Sequence, residues 1–151
     1  MKNERGAKAL GSSGMRIRVI DKIEAKLRKY PELSYEIESD RVSVKPSNPS
    51  GFTVWIEVYK NKYTVGFDGW HEVFDEEEKA LDCFAFGFSD QCRLKVVKRG
   101  KMECSWAVES WDEQEWVEDS VTGLLVVPFW RRKTVEYRQN DLIKGSGNED
   151  G

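Results

Sequence analysis

The stretch TVWIEVYKNKYTVGFD, Thr53–Asp68, decides the fold. Alternation along it puts Val54, Ile56 and Val58 on one face and Thr53, Trp55, Glu57 and Tyr59 on the other, the period-2 pattern of a strand with two unlike surfaces. Asn61-Lys62 reads as a tight turn, a register that sets Val58 opposite Val65, Ile56 opposite Phe67 and Trp55 opposite Asp68, with Gly66 facing Glu57. One face of this hairpin is core. The other carries Trp55 and Tyr59 among polar residues, the composition of a covered or ligand-facing surface.

Outward from the hairpin the pattern changes period. After Asp75 the apolar residues Ala80, Cys83, Phe84, Gly87 and Phe88 form a helical stripe, opened by Asp75 as N-cap with Glu78 three residues on, a capping-box spacing. A second aromatic hairpin follows at Arg93–Glu109, then strands at Glu115–Asp119, Gly123–Val127 and Lys133–Arg138. On the N-terminal side, Ile20, Ile23, Leu27 and Tyr30 recur at helical spacing over Arg16–Tyr30 and Pro31 stops them. Tyr35–Glu38 and Arg41–Lys45 flank Ser39-Asp40, a two-residue turn, ahead of the loop at Pro46–Gly51.

The order is thus a helix, about four strands, a second helix and about four or five strands, the two halves sharing no residue pattern that aligns. Short turns between neighbours make the sheet antiparallel, so the expected class is α+β: one curved antiparallel sheet of about eight strands in two meanders, with both amphipathic helices packed on it. At 151 residues the chain fits a single domain, placed at 15–143. Residues 1–14, ending in a Gly/Ser cluster, and the polar, Gly-rich residues 144–151 read as flexible tails.

Charge and cysteine content restrict the function. Twenty-four Lys and Arg against 27 Asp and Glu leave a net charge of −3, without the basic excess that drives binding to nucleic acid, which is an unfavoured partner. Cys83, Cys92 and Cys104 are odd in number and lack CxxC spacing, and no apolar run has the length of a signal peptide or membrane span. A cytoplasmic protein without a membrane partner is the expectation. His71 is the single histidine, so a zinc site of the two-histidine type is excluded, and neither metal nor cofactor is expected. Pairing His71 with Cys83 as base and nucleophile is disfavoured because Cys83 lies on the apolar helix stripe, where a thiol packs inertly, as Cys104 does on its strand. Cys92, at a strand start, is expected to be exposed. No glycine-rich phosphate loop, GxSxG elbow, HExxH or RNP-like pattern is present, and catalysis is not expected.

Three surfaces remain. Trp111, Asp112, Glu113, Glu115 and Trp116, continued by Glu118 and Asp119, form an acidic Trp-bearing stretch. Charged hairpin tips are ordinary, yet Trp anchors ringed by charge also mark protein interfaces, and a partner for this one would be basic. The leading expectation is a small interaction protein, such as a protein inhibitor or immunity-type partner. A second surface, Trp55, Tyr59, Trp70 and His71, would line a pocket between helix and sheet, the alternative reading being a small-molecule binder or a cofactor-free enzyme. The third is Arg131, Arg132 and Lys133 after the apolar run LLVVPFW (Leu124–Trp130), where Phe129 and Trp130 would stack bases in a nucleic-acid reading. Edge charges that prevent aggregation are the commoner explanation of those cations.

Overall fold

The computed structural model describes residues 14–142. Helix α1, Gly14–Leu27, buries Val19, Ile20, Ile23 and Leu27, the stripe that its sequence spacing places on one side. The chain then closes in tight turns, Tyr30 N–H donating to the Leu27 carbonyl, before the Pro31 that bars further helix. The segments read as tails lie outside the described residues, apart from Gly14, which opens α1.

Five strands follow: β1 Ser34–Ile37, β2 Arg41–Lys45, β3 Val54–Tyr59, β4 Lys62–Phe67 and β5 Trp70–Phe74. They pair in chain order into an antiparallel meander. Helix α2, Glu77–Phe86, comes next, and then β6 Cys92–Arg99, β7 Met102–Asp112, β8 Glu115–Gly123 and β9 Lys133–Arg138. These four form a second antiparallel sheet in the order β8-β7-β6-β9. The α+β class and the first meander are as expected, but the strands make two sheets, of five and four strands, rather than one, and the second is no simple meander because β9 crosses back to pair with β6. The added strand is β5, which begins at Trp70 and takes in His71.

One face of each sheet turns inward. Val42, Val44, Val54, Ile56, Val58, Val65 and Phe67 from the first sheet and Cys92, Leu94 and Val96 from the second are all essentially inaccessible to solvent. Both helices cap this shared core, α2 pressing so closely that a Cβ on Gly87 would strike the Phe67 ring. Ala80, Phe84 and Phe88 are buried as the stripe requires, with the Phe84 and Phe88 rings edge-on at 5.3 Å. Cys92 is fully buried, contrary to expectation, because it begins β6 on the inward face.

Local chemistry moves two boundaries. Lys60 and Asn61 both have left-handed backbone, φ 49° and 65°, so the β3–β4 turn is a two-residue turn at Lys60-Asn61 rather than at Asn61-Lys62. Asn, which tolerates that region, takes its second position. The register therefore shifts by two: Ile56 faces Val65, Val58 faces Tyr63, and Gly66 faces Trp55 rather than Glu57. Helix α2 has Glu76 at its N-cap and no side-chain cap bond, because Asp75 is drawn instead into an ion pair with Lys62 across the sheet end. The predicted strand Gly123–Val127 is absent. Chain pairing ends at Gly123, and residues 124–132 leave the sheet as a loop.

Polar ties hold the two sheets together. Trp70 Nε1 donates to Ser120 Oγ at 2.8 Å, and the His71 backbone exchanges hydrogen bonds with the Thr122 hydroxyl, joining β5 to β8. Arg138, on β9, reaches Asp68 in the β4–β5 turn at 2.6 Å and Glu103 on β7 at 2.7 Å. Buried Asn140 bonds both backbone groups of Phe52 and the Gly87 carbonyl, fixing the segment after β9 against the β2–β3 loop and the end of α2. No helix among the described residues is long and apolar enough to cross a membrane.

Candidate functional site

The outward face of the second sheet carries a row of stacked side chains. Because β7 and β8 pair through a tight turn at Asp112–Glu115, Trp111 and Trp116 lie directly opposite each other and on the same face. Their rings meet edge-on at 5.4 Å. From β6, the Arg93 guanidinium lies 4.5 Å from the Trp116 ring centroid and 4.0 Å from that of Tyr137 on β9. The result is a continuous row, Tyr137, Arg93, Trp116, Trp111, crossing the sheet.

Arg93 is held there by Glu109, its cross-strand partner, with Nε to Oε1 at 2.6 Å. Glu109 is 7% exposed, so this pair is shielded from water and its geometry is fixed by a charge-assisted bond as well as by stacking. The backbone of Trp111 is anchored in turn, its N–H donating to the Gln91 carbonyl. Such a surface needs little ordering on binding, which is what a preorganised anchor contributes to affinity.

Beyond the row lies the hairpin tip. Asp112, Glu113, Gln114 and Glu115 line an open hollow of about 460 Å³. Glu113 takes the left-handed position of the turn, φ 61°. Asp112, Glu113, Glu115, Glu118 and Asp119 form no ion pair with any described cation, so the negative charge here is uncompensated locally. The five residues read from the sequence as one acidic, Trp-bearing surface are thus brought together by a single turn. Arg93, Glu109 and Tyr137 were missed. The sequence signal for Arg93 was its place opposite Glu109 in the second hairpin, whereas Tyr137 reaches the site only through the pairing of distant β9 with β6.

The proposed aromatic pocket is divided. Trp55 lies over Gly66, where a Cβ would collide with the indole, and the rings of Trp55 and His71 are 6.5 Å apart. Arg41 stacks on Trp55 at 4.6 Å, and the indole N–H donates to the Asp68 carbonyl. Trp70, however, points to the inward face and stacks on Phe67 at 4.7 Å. Tyr59 stands about 13 Å further along β3 and is exposed. Trp55 and His71 face away from the helices, so they line no space between helix and sheet. The open hollow at the β7–β8 tip and the small cleft lined by Leu33, Pro46, Phe88 and Asn140 touch none of these four side chains.

The thiols are shielded rather than activated. Burial pushes Cys83 up to about 12, with Glu72 adding to the effect, and burial raises Cys92 further. Among the described residues no group of His, Cys, Asp and Glu is arranged to hold a metal ion. Arg131, Arg132 and Lys133 follow the exposed rings of Phe129 and Trp130 at the other end of the second sheet. Comparison of the chain with protein-family models, curated proteins and solved structures gives no match.

Proposed function

We propose that this is a small non-catalytic interaction protein, and that a basic protein docks on the outward face of its second sheet through Trp111, Trp116 and the acidic tip. The observation that carries the reading is the row Tyr137, Arg93, Trp116, Trp111, locked by shielded Glu109 beside carboxylates that lack local cation partners. A rigid aromatic row gives a partner desolvated contact area, and the bare acidic rim supplies long-range attraction and orientation. An inhibitor that masks a basic protein, of the immunity type, is the form that best suits a small acidic domain. The three unpaired thiols, Cys92 and Cys104 buried and Cys83 half-buried, favour a reducing, cytoplasmic setting.

Affinity capture with the full chain tests this, run in parallel with Trp116→Ala and Trp55→Ala. The reading expects a basic protein retained by the parent chain and by Trp55→Ala, lost with Trp116→Ala, and associating more slowly as salt rises. A partner that is retained by Trp116→Ala and lost with Trp55→Ala would move the site to the first sheet and favour a pocket-type ligand.

A further inference from the structure

The end of the second sheet opposite the acidic tip has the reverse character. Leu124–Trp130 leaves β8 and projects into solvent: Leu125 is 101% exposed, Val126 82%, Phe129 73% and Trp130 72%. Soluble surfaces scatter such residues singly, and a run of them on one loop marks a docking surface. The loop is not loose at its base. Gly100 N–H donates to the Arg132 carbonyl, the Arg99 guanidinium reaches the Phe129 and Arg131 carbonyls, and the Arg131 side chain lies over Gly100, whose φ of +63° turns β6 into β7. The apolar tip therefore stands on a platform of two turns.

That platform is cationic. Arg99, Lys101, Arg131, Arg132 and Lys133 surround it, and none of the five has an ion-pair partner among the described residues. On a chain of net charge −3, this concentration of unpaired positive charge around an apolar projection selects an occupant that is both apolar and anionic. We propose that the loop docks on an anionic lipid bilayer, Leu125, Val126, Phe129 and Trp130 entering the interface while the cations engage the headgroups. Nucleic acid would use the rings but leave the aliphatic tip in water. A protein groove would have to match the shape of the projecting loop, whereas a bilayer accepts its side chains without shape matching. Seven residues are far too short to span a membrane, and an interfacial loop does not need to.

Co-sedimentation of the full chain with phosphatidylcholine vesicles, with and without phosphatidylserine, tests the proposal. The expected result is binding to the phosphatidylserine vesicles, a blue shift of tryptophan emission on binding, and release at high salt. The triple change Arg131→Gln, Arg132→Gln, Lys133→Gln should weaken partitioning by about a hundredfold, near fivefold per cation. Leu125→Asp should abolish it while leaving circular dichroism unchanged, since Leu125 makes no buried contact. The proposal fails if anionic vesicles are not bound or neutral ones are bound equally. It also fails if either variant binds like the parent, if the same substitutions instead dissolve a self-associated form of the chain, or if they abolish binding to a single-stranded nucleic acid while vesicles stay unbound.

Discussion

Arg138→Met removes the guanidinium on which three carboxylates converge: Asp68 at 2.6 Å, Glu103 at 2.7 Å and Glu136 at 2.8 Å. The Met stem keeps the packing, so the loss reports the charge network. Leaving an uncompensated charge in a buried pair costs about 3–5 kcal/mol. Here the Arg138 side chain is 14% exposed, but Asp68, Glu103 and Glu136 are 21%, 35% and 44% exposed and the abandoned carboxylates regain water. The expected destabilisation at pH 7 is therefore about 2–3 kcal/mol, measured by urea titration with an unchanged slope. Acid should narrow the gap. Burial raises the Glu103 carboxyl, but hydrogen bonds from Arg138 and Trp106 and the Arg138 charge outweigh it and leave Glu103 low, while the Arg138 hydrogen bond and charge lower Glu136. A lowered folded-state pKa contributes stability that is present above the ordinary carboxylate value near ~4.3 and lost as pH falls through the folded value. Parent and variant should thus converge below about pH 4. A difference under about 0.5 kcal/mol at pH 7, or one that widens in acid, refutes the claim that this network ties the sheets together.

Three further outcomes follow from the same packing. Phe84→Ala, at a ring 6% exposed against Phe88, should cost roughly 3–5 kcal/mol in a denaturant titration, and a loss below about 1 kcal/mol would contradict its core position. Asn140→Ala strands the Phe52 N–H and carbonyl and should cost about 2–3 kcal/mol; hydrogen exchange at the Phe52 amide no faster than in the parent would argue against that lock. With Cys83 raised to about 12 and Cys92 higher still, a thiol reagent at pH 8 should modify both only on unfolding, and prompt modification of the native protein would show them to be accessible.

The sequence displayed some of this and concealed the rest for identifiable reasons. Strict alternation made β3 legible, since Val54, Ile56 and Val58 are all fully buried, and helical spacing did the same for Ala80, Phe84 and Phe88. The register was hidden in the turn, where Lys60 adopts a left-handed backbone that its side chain does not advertise. Strand β5 hides its alternation, because between buried Trp70 and half-buried Phe74 the side chains of His71, Glu72 and Val73 are exposed, and it is held by pairing with β4 and by Ser120 and Thr122 of a remote strand. The run LLVVPFW reads as a strand by composition, and only the third dimension reveals that Leu125, Val126, Phe129 and Trp130 are left exposed. At the site, Trp111 and Trp116 were legible as neighbours across one short turn. Arg93 reaches them from the β6–β7 hairpin opposite Glu109, but the support of Tyr137 depends on β9 returning to the far side of β6, a long-range pairing that no local pattern encodes.

The most direct test of the proposed function is the association rate of the captured basic partner with the parent chain, Trp116→Ala and Trp55→Ala across a series of salt concentrations. The account predicts that Trp116→Ala weakens binding by about 2 kcal/mol or more, that Trp55→Ala is silent, and that the parent's association rate falls steeply as screening shortens the Debye length below about 8 Å. A salt-independent association rate with Trp55→Ala as the damaging substitution would contradict it.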